Sequence, residues 1–403
     1  MLLTIGIIYF IYVLTRVYIS TMEIGYITKA KQDPAVILDP SNYIKAANYK
    51  IATQRMDILS TLFDYAMFIF WIGFGLKWLE KMITIADPTM KSVLYVLAFI
   101  IIGYIASLPF DLYKTFHLDK KFGFSNMTPK LYIIDTLKSG ALFLVFGTAV
   151  IWVLVKFIAA GDNWWLWGFG FIFLIILVIN MIYPTLIAPI FNKFEVLKDE
   201  KLQASIEKLL AKAGLKSNGV FTIDASKRDN RLNAYFGGLG KSKRVVLFDT
   251  LIEKLNEKEL LAVLGHELGH YTHKDILKNI FMMGILMFTL FYIFGHLPDI
   301  LFQAVGVPKA PHTIIVMFLI FAPVVSFFFM PLFGMVSRAN EYAADEYGAQ
   351  SQDAPSLANA LQKLANENKS FPRSHPLFIF FYYTHPPLVE RLKRLGMKID
   401  EGQ

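Results

Sequence analysis

Seven long apolar segments constrain this chain more than any other feature of its sequence. Each is close to the roughly 20 residues that a helix needs to cross the hydrocarbon core of a bilayer, and each has few or no charged side chains. Their approximate positions are residues 2–18, 58–76, 92–112, 140–160, 164–182, 276–294 and 313–333. The chain has 403 residues, of which 55% are hydrophobic, which is too apolar for an ordinary soluble domain. We therefore expect about seven transmembrane helices.

The distribution of lysine and arginine predicts how these helices are oriented. Positive side chains concentrate in the connections after the first and third apolar segments, and such loops stay on the cytoplasmic side. The residues are Lys29, Lys31, Lys45, Lys50, Arg55, Lys114, Lys120, Lys121, Lys130 and Lys138. The segments 191–275 and 336–403 then also face the cytoplasm. The same rule explains the net charge of +8. We expect no nucleic-acid partner, because the chain contains no basic motif.

The most specific motif is a His-Glu-Leu-Gly-His stretch. His266 and His270 are four residues apart, so on a helix both imidazoles lie on one face and can bind one metal ion. Glu267 can accept a proton from water that the metal activates, and that water can attack a peptide carbonyl. Asn256 and Glu259 form a capping box that predicts the start of the helix. Chance placement of two unrelated histidines is the alternative, and a third ligand is needed to dismiss it.

The third ligand is expected from the segment after the last apolar span. The chain has no cysteine, so the metal must be held by histidine and carboxylate. Glu341 completes the two-histidine, one-carboxylate set that is usual for a catalytic zinc, whereas His273 is a rival by spacing alone. Asp345 lies one helical turn after Glu341, where it can orient a ligand histidine. We therefore expect one zinc ion per chain, bound by His266, His270 and Glu341.

Helix lengths place these ligands at similar heights above the membrane. No proline or glycine separates His270 from Ile276, so the metal-binding helix is expected to continue into the sixth span. His270 is then about 9 Å above the membrane edge, and Glu341 about 12 Å beyond the seventh span, at the usual rise per residue. Spans six and seven, as antiparallel neighbours, would bring both groups to one level. His296 and His312 fall on the opposite side of the membrane.

The polar segment between spans five and six predicts a small α+β domain. Residues 201–213 have the pattern of an amphipathic helix that ends at Gly214. Residues 220–223 and 244–248 are short apolar runs, typical of strands.

The stretch that begins Asn233, Ala234, Tyr235 lies between these two strand candidates and has two interpretations. It is a substrate-binding edge strand, which accepts an extended peptide by backbone pairing, a common device of proteases. It is equally a hairpin arm, because a glycine-rich stretch that includes Gly240 follows it. The pattern alone favours the hairpin arm.

Two further polar residues stand in apolar or aromatic surroundings. His385 follows the aromatic run 378–383 and precedes two prolines. It either donates a hydrogen bond to the oxyanion of the reaction or is a surface residue after a helix end, and pattern alone favours the surface residue. Asp64 lies in the second apolar segment, where an unpaired charge costs a few kcal/mol, and it is expected to line a wet surface.

Together the motifs resemble the type I CAAX prenyl protease family, integral-membrane zinc metalloproteases of the gluzincin kind. The matching stretches are residues 122–124, 183–184, 187–194, 233–236, 266–270, 337–345 and 385–388. Many families share the zinc motif, but this combination in this order is specific. Leu232 departs from the pattern, since the family usually has serine at this position.

The resemblance implies a fold and roles for individual residues. The fold is a mostly α-helical hollow barrel of about seven transmembrane helices around a water-filled chamber, with a small α+β zinc metalloprotease domain at its cytoplasmic end. The zinc ligands are those named above, and Glu267 is the general base. The strand at Asn233 is the substrate edge and His385 is a donor to the transition state. The loops are shorter than in eukaryotic members, which indicates a bacterial inner membrane.

These observations predict an integral-membrane zinc endopeptidase that cuts peptides near the cytoplasmic face, removing three residues after a prenylated cysteine. Its partners are then the bilayer and a peptide or protein substrate. A quality-control protease for membrane proteins is a second hypothesis. A transporter or channel is a third, although no broken-helix repeat supports it. The expected organisation is spans one to five in 1–190, the protease segment in 191–275, spans six and seven in 276–335, and a segment with the third ligand in 336–403.

Overall fold

The fold combines long helices with one small domain. The computed structural model describes residues 1–215, 219–238 and 244–399. Five long helices come first: α1 (Leu2–Ala30), α2 (Pro40–Met82), α3 (Pro88–Lys121), α4 (Pro129–Ala159) and α5 (Trp164–Phe191). The small domain comprises β1 (Phe194–Val196), α6 (Glu200–Lys212), β2 (Val220–Ile223), β3 (Ala234–Gly237), β4 (Arg244–Phe248), α7 (Asp249–Lys254) and α8 (Glu257–Thr272). The remaining helices are α9 (Asp275–Gly295), α10 (Asp299–Val305), α11 (Pro311–Ser351), α12 (Ala354–Glu367), α13 (Pro376–Tyr382) and α14 (Leu388–Arg394).

Seven helices in the described ranges are long and apolar enough to cross a bilayer, namely α1 to α5, α9 and α11. Each overlaps one of the seven predicted apolar segments, so the predicted number of spans is confirmed. In their most apolar windows only 11–44% of the residues are buried inside the protein. Most side chains of the spans therefore face lipid or a hollow interior, and not a solid core.

The membrane helices extend well beyond the apolar segments. α2 begins at Pro40 and α11 continues to Ser351, whereas the apolar pattern starts near residue 58 and stops near residue 333. Proline in the first turn, where its missing N–H leaves no bond unmade, begins α2, α3, α4 and α11. Asp64 on α2 has a partner that the sequence did not reveal, because its Oδ2 lies 4.0 Å from Arg16 Nη1 on α1.

The small domain contains a four-stranded sheet in the order β1-β2-β4-β3. β2 and β4 are the two strands expected from their apolar runs, and they pair in parallel. β3 pairs antiparallel with β4, with Ala234 opposite Leu247, and forms one edge of the sheet. β3 is therefore a hairpin arm and also an edge strand, while its role in binding substrate stays a prediction. Gly240 lies outside the described residues.

Close contact between α8 and α11 brings the His-Glu-Leu-Gly-His helix onto the last membrane helix. A Cβ atom on Gly269 would lie 2.8 Å from the Cα of Ala344, and one on Gly348 would lie 3.0 Å from the backbone nitrogen of His266. Real Cβ atoms essentially never show the first distance, and the second is tighter than nine in ten real Cβ contacts. Only glycine at these two positions permits this backbone approach.

The predicted continuous helix from His270 into the sixth span is wrong. α8 ends at Thr272 and α9 begins at Asp275, with Lys274 in the left-handed conformation at φ 58°. Lysine rarely adopts this conformation. Because no glycine or proline lies between His270 and Ile276, nothing in the sequence indicated the break. Because the rise-per-residue argument assumed one straight helix, it does not fix the height of His270. The break also turns Asp275 back towards His270, as described below.

We predict that Gly269→Ala separates α8 from α11 and destabilises the fold. Overpacking of this kind costs about 1–3 kcal/mol, which exceeds the gain from replacing a helical glycine by alanine. The thermal unfolding temperature of the purified protein should fall, and its metal content should fall with it. Gly140→Ala on α4 is the control, because a Cβ there meets nothing within 4 Å. Equal unfolding temperatures for the two variants would contradict the close-contact argument.

Candidate active site

Three side chains converge between α8 and α11. His266 and His270 lie one turn apart on α8, and Glu341 faces them from α11. His266 Nε2 is 3.5 Å from Glu341 Oε2, and His270 Nε2 is 3.2 Å from Glu341 Oε1. One ligand atom from each residue lies within 4.8 Å of the others. The structure therefore brings the three sequence-predicted ligands together around a single point.

The chemistry of this group fits a divalent metal ion. Glu341 is 4% exposed, and its buried Oε2 accepts no hydrogen bond from any described residue. A buried carboxylate oxygen without a donor is costly unless a cation pairs with it. Two imidazole nitrogens and one carboxylate are a ligand set that catalytic zinc sites use, and they leave room for water.

A carboxylate stands behind each histidine ring. His270 Nδ1 donates a hydrogen bond of 2.9 Å to Asp275 Oδ2, and His266 Nδ1 lies 2.9 Å from Asp345 Oδ1. Such outer carboxylates fix the ring orientation and turn Nε2 towards the metal position. Asp345 was expected from the sequence. Asp275 was missed, because on a continuous helix it would point away from His270.

Arg391 on α14 is a second residue that sequence reasoning missed. Its Nε and Nη2 donate hydrogen bonds of 2.8 and 2.6 Å to the two oxygens of Asp345, and its Nη1 lies 3.7 Å from Glu341 Oε2. This forked contact is strong and directional. The single positive charge of Arg391 offsets part of the negative charge of two buried acids. Arg391 lies in the short helix α14, 46 residues after Asp345. No local sequence pattern could therefore have indicated this contact.

Buried charges shift the pKa values of the site in the metal-free protein. Burial alone would lower the pKa of His266, but the carboxylates of Asp345 and Glu341 outweigh it and raise this pKa to about 9. Burial raises the pKa of Glu267. A carboxyl group with a raised pKa is a better proton acceptor near neutral pH than an exposed one.

Glu267 lies where two cavities meet. A cavity of about 520 Å³ is lined by His266, Glu267, Asn233 and His385. A second cavity of about 790 Å³ is lined by Glu267, His270 and Glu341. Free space therefore extends to both sides of the reacting groups.

The edge strand β3 runs from one cavity to the other. Asn233 and Ala234 line the smaller cavity, while Phe236 and Gly237 line the larger one. Tyr235, the third predicted substrate-binding residue, lines neither, and its ring packs against Phe248. Because no strand in the described residues pairs with the outer edge of β3, backbone groups between the cavities can accept an extended peptide.

His385 stands at the border of the site. Its Nε2 is 3.2 Å from Glu341 Oε1, although 63% of the side chain is exposed. The preceding loop is fixed by Arg338 Nη1, which donates hydrogen bonds of 2.6 Å to the Tyr383 carbonyl and 3.1 Å to the Ile379 carbonyl. Although the side chain is largely exposed, the groups around the ring remove part of its water and so lower the pKa of His385.

The other candidate histidines lie apart from this group. His273 packs edge-on against Tyr347 and does not belong to the group of potential ligands found among the described residues. His296 Nδ1 donates to the Tyr292 carbonyl, at the far end of α9. His312 is bound to Glu80, at the opposite end of α11 from Glu341.

We predict that Asp275→Asn weakens metal binding roughly 10- to 100-fold, because the carboxylate that orients His270 is lost. Chelator competition with the purified protein measures this affinity. Asp299→Asn is a matched control, because Asp299 is also the first residue of a helix but pairs with Lys309 far from the site. An equal effect of the two substitutions would remove Asp275 from the metal-binding apparatus.

Comparison with known proteins gives relatives that span nearly the whole chain. Residues 27–193 match the CAAX prenyl protease N-terminal family of five membrane helices, and residues 196–398 match peptidase family M48. The CAAX prenyl protease 1 homologs of Taenia solium and Arabidopsis thaliana are 30% and 34% identical to it. The matches cover 93% and 84% of this chain and 90% and 82% of those proteins.

A solved structure shows the same fold. The crystal structure of S. mikatae Ste24p matches with a TM-score of 0.91 and 27% identity, over 98% of this chain and 99% of that one. The resemblance drawn from the motifs is confirmed, and so is the hollow membrane fold with its small α+β domain. The chain is an integral-membrane metalloprotease, and it belongs to the CAAX prenyl protease family within peptidase family M48.

Proposed function

We propose that this protein is a zinc endopeptidase that cuts peptides held along the free edge of β3. The proposal rests mainly on the position of that edge. β3 runs from one cavity to the other, and Glu267 and the metal-ligand group lie where the two cavities meet. A peptide that added a strand there would cross the reacting groups in an extended conformation. Backbone pairing would supply affinity without requiring one sequence.

The proposed metal is one zinc ion per chain, held by His266, His270 and Glu341. The buried Glu341 Oε2, which accepts no hydrogen bond from a described residue, and the two inward Nε2 atoms support this ligand set. When bound, zinc supplies Lewis-acid polarisation and lowers the pKa of water. Asp345 and Asp275 hold the two rings in place.

Glu267 acts as general base and then as general acid. Its carboxylate takes a proton from the attacking water as the new carbon–oxygen bond forms. The same proton passes to the amide nitrogen as the carbon–nitrogen bond breaks. His385 donates a hydrogen bond to the oxyanion, which needs a donor placed in advance. Arg391 holds Asp345 and so acts through His266.

The proposed substrates end in a prenylated cysteine followed by three residues, which the enzyme removes. The names of the relatives support this specificity. They are CAAX prenyl protease 1 homologs, and this chain matches them over most of their length. The hollow membrane fold supports it as well, since it places apolar helices beside a hydrolytic site. Cavities on both sides of Glu267 leave room for the lipidated part and for the departing tripeptide.

We propose that the active site faces the cytoplasm. The positively charged connections after α1 and α3 support this orientation, because such loops remain on the cytoplasmic side. A bacterial inner membrane is the proposed location on the basis of short loops alone, while the relatives named above are eukaryotic. The transporter or channel hypothesis has no support in a chain that belongs to a protease family.

We predict that Glu267→Gln retains the metal but loses peptide cleavage, because glutamine keeps the shape of the side chain and cannot accept the proton. A fall in rate of about 100- to 10,000-fold is typical for the loss of a general base. Cleavage kinetics and metal analysis of the same preparation measure both quantities. Glu253→Gln, an exposed position on α7, is the control. Turnover near the wild-type rate would exclude Glu267 as the base.

A second prediction concerns substrate choice. A farnesylated peptide should be cut once, with a tripeptide released from its C-terminus. The same peptide without the farnesyl group should be cut much more slowly. Product masses locate the cut, and a chelator should stop both reactions. Equal rates for the two peptides would reject prenyl specificity and favour the quality-control hypothesis.

A further inference from the structure

A cavity of about 800 Å³ lies between the ends of α1, α2 and α3, apart from the reacting groups. None of the metal ligands or other residues given a role in hydrolysis lines it. Its walls carry five basic side chains and no acidic one. The basic residues are Lys31, Lys45, Arg55, His117 and Lys121.

The lysine and arginine side chains that line this cavity make no salt bridge in the part of the chain that the structure describes. Lys31 Nζ donates to the amide oxygen of Asn48 at 3.1 Å, which is a neutral partner. Among the described residues, no carboxylate lies within 4.0 Å of the charged atoms of Lys45, Arg55 or Lys121. Like charges that face one cavity repel each other, and an anion between them relieves that repulsion.

The other end of the cavity is apolar and belongs to the membrane. Leu59 lies in the second apolar segment, and Pro109 and Phe110 lie in the third. Lys45 precedes Leu59 by about four helical turns of α2, which corresponds to about 21 Å. The cavity therefore extends from the level of the hydrocarbon core to the level of the charged loops.

Aromatic side chains mark the boundary between these two levels. The rings of Tyr113 and His117 stack with centroids 4.9 Å apart in the wall of the cavity. Tyrosine is enriched at the depth of lipid headgroups, where its ring is in an apolar region and its hydroxyl is in a wet one. A ligand that fits this cavity carries a negative group at one end and hydrocarbon at the other.

The cavity opens at the end of the membrane bundle that carries the protease domain. Arg231, just before β3, lies with its Nη2 3.2 Å from Asp119 Oδ1 in the last turn of α3. Arg231 Nη2 also donates to the hydroxyl of Tyr49 on α2 at 2.8 Å. Basic pockets between membrane helices at the cytoplasmic side suit anionic lipid headgroups.

We propose that this cavity binds one anionic phospholipid from the leaflet next to the protease domain. Its phosphate lies among Lys45, Arg55 and Lys121, and the start of an acyl chain contacts Leu59 and Phe110. Inorganic phosphate would satisfy the charges but would leave the apolar end empty. By touching three helices at once, the lipid stabilises their packing.

Native mass spectrometry of the full-length, delipidated protein tests this proposal. Phosphatidylglycerol and phosphatidylcholine with identical acyl chains are titrated separately. We expect one phosphatidylglycerol to bind at least tenfold more tightly than phosphatidylcholine. The triple variant Lys45→Gln, Arg55→Gln, Lys121→Gln should lose this preference. A rise in unfolding temperature with phosphatidylglycerol should disappear in the same variant.

Matched controls separate the cavity from general surface charge. Lys29 and Lys120 are exposed lysines close in sequence to Lys31 and Lys121 but do not line the cavity, so Lys29→Gln with Lys120→Gln should keep the preference. If the triple variant does not fold, the comparison of Lys121→Gln with Lys120→Gln carries the test. Equal affinity of the wild type for both lipids, or equal loss in the control variant, overturns the proposal. Full competition by millimolar inorganic phosphate overturns it in favour of a simple anion site.

Discussion

The close approach of α8 to α11 is the contact on which the rest of this structure depends. α8 supplies both histidines and Glu267, and α11 supplies Glu341 and Asp345, so neither helix holds a metal site alone. Gly269 and Gly348 let the backbones meet where any side chain would separate them. Because α11 is also a membrane span, this contact joins the metal-ligand group directly to the barrel.

A network of buried charges sets the geometry around this contact. Asp345 lies between His266 and Arg391, while Asp275 bonds both His270 and Lys278. Buried ion pairs contribute little net stability, because removing charges from water costs about as much as their attraction returns. Their effect here is directional, since each carboxylate is held on one side and orients a ring on the other. The local helix break after His270 belongs to this network, because it places Asp275 under the ring.

Local and periodic features of the chain were predictable, and contacts between distant segments were not. Seven apolar segments, the capping box at Asn256 and the pair His266 and His270 each depend on neighbours within one element. The helix breaks at Lys274, whose left-handed conformation has no sequence signal. The contact between Asp275 and His270 depends on this break, so it could not be predicted. Arg391 was equally hidden, because its partners come from another helix. Glu341 was predicted because it completes the usual two-histidine, one-carboxylate zinc set and follows the last membrane span.

We propose that α8 and α11 together hold one zinc ion through His266, His270 and Glu341. Anomalous X-ray diffraction recorded on both sides of the zinc absorption edge, from crystals of the purified protein, tests it most directly. We expect a single peak about 2.0–2.2 Å from His266 Nε2, His270 Nε2 and a carboxylate oxygen of Glu341. A peak elsewhere, or one in which Glu341 is not a ligand, would contradict it.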